Sequence, residues 1–216
     1  TVLIVRNSLL LLQCSTCNLA WRTKFDVQDT FYEDENEVSL KKENLERRVR
    51  NVQDRIRLMQ KYFLLNDLCD VGAGEGMLIR ELAIQGYRNA IGIDPNTRAV
   101  SFAREQGIDV VPGTLDDATH IISERKIHSV TLFHVIEHLE DPKGALTKIY
   151  ESLRKGDYLV IETPNAQAYS FIRTKYMHPL IYPEHLYYFD MENLPLLLKK
   201  VGFVFVAKGR RGFDQY

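Results

Sequence analysis

A chain of 216 residues, 45% hydrophobic and 26% charged, can bury a sizeable core and fits one α/β domain with an appendage. A formal net charge of −1 gives no reason to expect nucleic acid or an anionic membrane as partner. Three cysteines, Cys14, Cys17 and Cys69, argue against a disulfide framework and for a reducing, cytoplasmic setting. The longest apolar run near the N-terminus, 9–12, is too short to span a bilayer, and no small-residue cleavage site marks a signal peptide.

Residues 1–35 read as an N-terminal extension, expected to be a helical, C-x-x-C-bearing appendage, with an apolar opening, the pair in "CSTCNLAW" and the start of an acidic stretch, "YEDENE". The domain proper is expected over 36–216. Apolar residues at 45, 49, 52, 56, 59 and 63 describe one face of a helix. Arg47, Arg48, Arg50, Arg55 and Arg57 lie mainly off that face and read as a solvated side. Strands and helices then alternate. Strands are expected at 65–71, 89–94, 108–111, 128–133 and 157–162. Helices are expected at 77–85, 97–106, about 116–124, and from Asp141 as N-cap and Pro142 at the first position to about 154. A long aromatic segment, 163–190, precedes a helix over 191–200 and a final strand, "FVFVAKG". This alternation predicts a mainly parallel sheet with helices on both faces.

The chemistry gathers in "DVGAGEG", where the first strand gives way to a helix. Three glycines in five residues suggest close approach to the backbone. No Gly-Lys-Ser/Thr follows, as a phosphate loop would need. Gly72, Gly74 and Gly76 run G-x-G-x-G, whereas a dinucleotide fingerprint runs G-x-G-x-x-G. Glu75 at the mouth of the helix would repel a pyrophosphate. A ligand with a positive centre suits the place better.

"DVGAGEG" followed by "GIDP" resembles the class I S-adenosylmethionine-dependent methyltransferases. "FHVIEHLEDP", "IETPN" and "PEHLYYF" narrow the resemblance to a subgroup with ubiquinone-pathway-like O-methyltransferases and sugar C-methyltransferases. The resemblance covers about 45–208 and implies a Rossmann-like sheet and S-adenosylmethionine as cofactor. It implies that Gly72, Gly74 and Gly76 admit the methionine part, Asp70 meets the ammonium and Asp94 takes both ribose hydroxyls. Thr114 and Leu115 fall at the adenine edge, with Thr114 where the family carries an acidic residue. His134 falls beside the cofactor and His138 on the substrate side.

"HVIEH" also matches H-x-x-E-H, a zinc-protease pattern that needs both histidines on one helix face. Here the stretch leaves a strand, so no metal is expected on His134 and His138. Methyl transfer to oxygen or to an acidic carbon needs an acceptor in line and a base for its proton. His185, with Glu184 and Tyr182 to orient it, and His138 are the candidates that the sugar-methylating relatives suggest. "CSTC" supplies two of the four ligands of a zinc ribbon, Cys14 and Cys17, and some relatives carry such a ribbon at their N-terminus.

The expected activity is transfer of a methyl group to a small polar acceptor molecule. Its rivals are an NAD-dependent oxidoreductase and a non-catalytic S-adenosylmethionine-binding domain. After "FVFVAKG" only "RRGFDQY" remains, a poor buried strand. The last family strand is therefore expected to be missing, leaving an edge that invites pairing into a homodimer.

Overall fold

A computed structural model describes residues 2–6, 9–22, 42–63, 65–168 and 184–209. Three strands come first: β1 (Val2–Arg6), β2 (Leu9–Gln13) and β3 (Ala20–Arg22). Helix α1 (Lys42–Met59) leads into an alternating run. It comprises β4 (Leu68–Val71), α2 (Met77–Ile84), β5 (Ala90–Asp94), α3 (Thr97–Glu105) and β6 (Val110–Pro112). The run continues through α4 (Leu115–Glu124), β7 (Ser129–Phe133), α5 (Pro142–Ser152) and β8 (Tyr158–Glu162). It closes with β9 (Tyr187–Tyr188) and α6 (Asn193–Val201).

Strands β4 to β8 form a parallel sheet in the order β6-β5-β4-β7-β8. The order reverses at β4, so the carboxyl ends of β4 and β7 flank the crevice where open α/β sheets hold ligands. Every residue of β4 and β5 is buried, which is why these strands read as unbroken apolar runs. On one face Leu68 and Ala90 pack against Val52, Ile56 and Met59 of α1 and Leu78, Ile79 and Leu82 of α2. On the other, Cys69, Val71, Ile91 and Ile93 pack against Ala118 and Ile122 of α4 and Leu146 and Ile149 of α5. Helices on both faces are as the alternation required. Asp141 caps α5 by accepting from the Gly144 N–H at 2.9 Å, with Pro142 beside it.

The N-terminal extension differs from a helical appendage. Its strands form an antiparallel sheet, β1-β2-β3-β9, in which Ala20 and Trp21 pair with Tyr188 and Tyr187. This pairing ties residues assigned to a separate extension onto the segment after β8. Its partners are 166 and 168 residues apart in sequence, so no local pattern announces it.

At the other end, 203–209 forms no strand. Val204 is 88% and Val206 63% exposed, for β-propensity makes a strand only where a partner edge takes up the hydrogen bonds. Among the described residues the sheet stops at β8. Along β8 runs an open groove of about 2050 Å³, bounded by α1, α6 and residues 203–209. This groove lies beside the sheet edge rather than over the glycine loop.

Two of the α1 arginines leave the solvated face assigned to them. Arg48 donates to Glu75 at 2.9 Å, and Arg55 forks onto both Glu162 oxygens at 2.6 and 3.1 Å, with its guanidinium 4.6 Å above the Phe133 ring. Arg55→Met is expected to cost about 1.5–3 kcal/mol in urea unfolding, the range for hydrogen bonds to charged groups. Arg50→Ala, which breaks an exposed 4.0 Å pair with Glu46, is expected to leave the unfolding midpoint unchanged.

Candidate active site

The loop after β4 is stitched to β5. Gly72 and Ala73 donate to the Ile93 carbonyl at 2.9 and 3.1 Å, and Gly74 donates to Asp94 Oδ2 at 2.7 Å. Asn96 donates to Asp94 Oδ1 at 2.8 Å, so both carboxylate oxygens are aimed by backbone and each keeps acceptor capacity. The three glycines all have positive φ: 79° at Gly72, 54° at Gly74 and 73° at Gly76. Their surroundings separate them. A Cβ on Gly72 would lie 2.3 Å from Val135 Cγ2, and one on Gly76 would lie 2.6 Å from Val110 Cγ2. A Cβ on Gly74 would meet nothing within 4 Å. Gly72 and Gly76 therefore serve the protein's own packing, and Gly74 alone opens onto space.

Asp70 sits beneath this loop, 5% exposed, and accepts from the Thr131 hydroxyl at 2.5 Å. Burial pushes its carboxyl up to about 7, against the pull of the Thr131 hydrogen bond and Arg55, with Asp94 adding to the rise. Thr114 precedes α4 and is exposed; its N–H and hydroxyl both donate to Asp117 Oδ2, at 2.7 and 2.9 Å. The acidic residue near the expected adenine edge is thus Asp117, one turn into the helix and held by Thr114. Leu115, half-buried, packs against the core.

A second group gathers where β7 ends. His134 adopts a left-handed φ of 57°, which swings its ring between Glu137 (Nδ1 to Oε1, 3.4 Å) and Glu162 (Nε2 to Oε1, 3.3 Å). Close surroundings disfavour its charge, but the two carboxylates prevail and raise the imidazole to about 9, although part of the ring stays exposed. Burial would raise Glu137, which is 1% exposed; the adjacent His134 instead holds it below the usual carboxylate range. A 3-10 turn, Ile136–His138, brings His138 to His185, with ring centroids 4.9 Å apart and edge-on. The His138 Nδ1 lies 3.1 Å from the Glu184 carbonyl, which can only accept, so this nitrogen donates and, in the neutral imidazole, Nε2 carries the lone pair. Glu184 thus orients a histidine through its backbone. Burial, then the charge of His138, lower His185 to about 4. His185 is therefore uncharged at neutral pH and a weak base. Tyr182 lies outside the described residues.

Cys14 and Cys17 stand in the turn between β2 and β3. Backbone hydrogen bonds from Cys17 and Thr16 draw the Cys14 thiol down to about 7. No third candidate ligand among the described residues joins them.

Residues 42–208 match the family model described as a methyltransferase domain. The chain belongs to this family. Its sheet and motifs make it a class I S-adenosylmethionine-dependent methyltransferase fold. It is 29% identical over 142 residues to a probable S-adenosylmethionine-dependent methyltransferase of Mycolicibacterium smegmatis, covering 63% of this chain and 51% of that one. It is 26% identical over 140 residues to the mitochondrial ubiquinone biosynthesis O-methyltransferase of Candida albicans, covering 60% and 43%. A crystal structure of an S-adenosylmethionine-dependent methyltransferase from Archaeoglobus fulgidus aligns with TM-score 0.59 and 27% identity, covering 72% and 69%. The chain spans about half the length of the curated relatives it matches.

The methyltransferase loop fits the cofactor that this fold implies. Gly74 leaves space, Asp94 presents aimed acceptor oxygens and Asp70 is a buried carboxyl that could face an ammonium. Arg48 and Arg55, Thr131 and Glu162 were missed in sequence because their partners come from distant elements. Glu162 stood in the quoted "IETPN", yet only its pairing with α1 shows its part.

Two outcomes follow from this geometry. Gly72→Ala is expected to lose about 2–4 kcal/mol of stability from overpacking and left-handed backbone strain. Gly74→Ala is expected to lose only the strain, about 1–2 kcal/mol, while weakening S-adenosylhomocysteine at least tenfold by calorimetry. An ammonium arriving beside Asp70 favours the carboxylate and lowers its pKa, so binding at pH 6.5 should release a proton. Titrations in buffers of different ionisation enthalpy should show that release in the parent and none in Asp70→Asn.

Proposed function

We propose that this methyltransferase-fold chain moves the methyl group of S-adenosylmethionine onto an oxygen or acidic carbon of a small polar acceptor. The observation that carries this reading is the contact of Val135 with Gly72. It sets the turn bearing Glu137 and His138 directly against the glycine loop, so that one cradle faces a cofactor and the next a proton-handling cluster.

In this reading Asp94 and the Gly74 edge hold the ribose and methionine parts, and Asp70 holds the ammonium. When bound, the cofactor supplies an electrophilic methyl on a good leaving group. The chain's part is to place the acceptor in line and to accept its proton. His138, with Nε2 available, is better suited to that proton than His185, whose low basicity leaves it to position the acceptor. His185 is held at this place by the neighbouring Leu186 N–H, which donates to the Glu137 carbonyl at 2.8 Å. The Cys14–Cys17 turn is read as half of a zinc ribbon whose other two ligands are not among the described residues.

The test uses a panel of hydroxylated small molecules and labelled S-adenosylmethionine. His138→Ala is expected to bind S-adenosylhomocysteine like the parent and to lose about 10²–10⁴ in turnover. Full turnover in that variant would reduce the histidine to packing. A parent that binds the cofactor but methylates nothing in an exhaustive metabolite screen would favour a sensing domain.

A further inference from the structure

Strand β8 is the open edge of the parallel sheet: among the described residues β7 alone pairs with it. We infer that this edge and the groove along it are the contact surface of a homodimer, in which β8 of one copy pairs antiparallel with β8 of its partner about a two-fold axis. The inference does not depend on the methyl-transfer reading.

The backbone of β8 decides which groups are open. The Tyr158 N–H donates to the His128 carbonyl and the His134 N–H to the Glu162 carbonyl, both at 2.8 Å. Residues 158, 160 and 162 therefore turn their amides and carbonyls to β7, and alternation points those of Leu159 and Ile161 outward. Sheet edges that stay single are protected by proline, lysine, a bulge or very short length. β8 runs for five residues, YLVIE, and keeps an unbroken register with β7. Its only charge, Glu162, stands at its end.

The side chains beside the edge match what a dimer needs. Ten large hydrophobic residues are exposed among the described ones, and six of them, Leu58, Tyr62, Tyr150, Val204, Phe205 and Val206, line the groove. Side chains of this size, 43–88% exposed, present roughly 600 Å² per copy. Two copies would thus bury about 1,200 Å², the lower limit of a stable specific interface, before the strands themselves are counted. The rim carries charges of both signs, Lys61 and Lys155 with Asp54 and Glu151, so no single-sign field opposes a like copy.

A strand that fits here must be extended and apolar on both faces, because helices cover both sides of the sheet. β8 has that character itself, and an isologous contact lets one sequence supply both halves. Residues 203–209 flank the groove, and 210–216 open with two arginines, which suit a buried strand poorly. With Val160 on the axis, Leu159 of one copy and Ile161 of its partner would exchange two N–H···O bonds, and the symmetric pair two more. The parallel sheets of both copies would then join across β8 as one sheet.

Sedimentation velocity of the full chain across the micromolar range is expected to show a dimer of twice 25.1 kDa. In a Cys14→Ser/Cys17→Ser background, Val160→Cys is expected to form a disulfide between copies on mild oxidation. The two residues would face each other as a non-hydrogen-bonded pair about 4.5 Å apart, within reach of the bond. Leu159→Cys, whose symmetry mate would lie two residues along the strand, should form none. Ile161→Pro removes an outward N–H and leaves the β7 ladder intact; Val206→Asp puts a charge in the apolar patch. Each is expected to weaken the dimer by at least about tenfold, with unchanged far-UV circular dichroism as the check on the fold. A chain that stays monomeric throughout overturns the inference. So does a dimer that tolerates both Ile161→Pro and Val206→Asp, or one that Val160→Cys does not lock.

Discussion

The structure depends on the stitching of the β4–α2 loop to the end of β5. Parallel register sets Val71 beside Ile93, and the next two amides, Gly72 and Ala73, share the Ile93 carbonyl. That bond turns the chain sharply, and the turn requires three residues in left-handed backbone, which glycine adopts without a Cβ penalty. Asp94 fixes the third link by accepting from Gly74. Once the loop is pinned, Gly72 must leave room for Val135, and Val135 in turn sets the turn that carries Glu137 and His138. The glycine loop and the Glu137–His138 turn are thus two consequences of one backbone constraint.

Helix α1 adds a second layer of control. Its apolar face covers one side of the sheet, while Arg48 neutralises Glu75 at the mouth of α2 and Arg55 neutralises Glu162 at the end of β8. Left alone, both acids would add negative field around the crevice. Arg55 also sets the balance at His134, because Glu162 is shared between the guanidinium and that imidazole. The N-terminal strands brace the other side: β3 pairs with β9, and the Tyr187 hydroxyl donates to the Glu140 carbonyl at 3.1 Å. The segment bearing His185 is held from both directions.

Local pattern carried the parallel sheet and its helices, because buried strands and amphipathic helices write themselves in contiguous residues. The Asp141–Pro142 cap and the glycine loop were legible for the same reason. What pattern could not show depends on pairs distant in sequence. Residues 203–209 have the composition of a strand yet pair with no strand among the described residues. The β3–β9 pairing and the ion pairs of Arg48 and Arg55 join elements that only the fold brings together. Resemblance singled out Asp70 and Asp94 and gave all three glycines one role, whereas the space around each separates Gly74 from the two that pack. His185 was read as a neutral imidazole able to take the acceptor's proton; its burial keeps it neutral and lowers its basicity.

The central claim is that the open side of Gly74, flanked by Asp94, is a cofactor cradle for an adenosyl sulfur compound and not for a dinucleotide. Isothermal titration of the parent chain with S-adenosylhomocysteine and with NAD⁺ tests it directly. The account predicts one equivalent of S-adenosylhomocysteine bound and no saturable heat with NAD⁺. Saturable NAD⁺ binding, or none with S-adenosylhomocysteine, would contradict it.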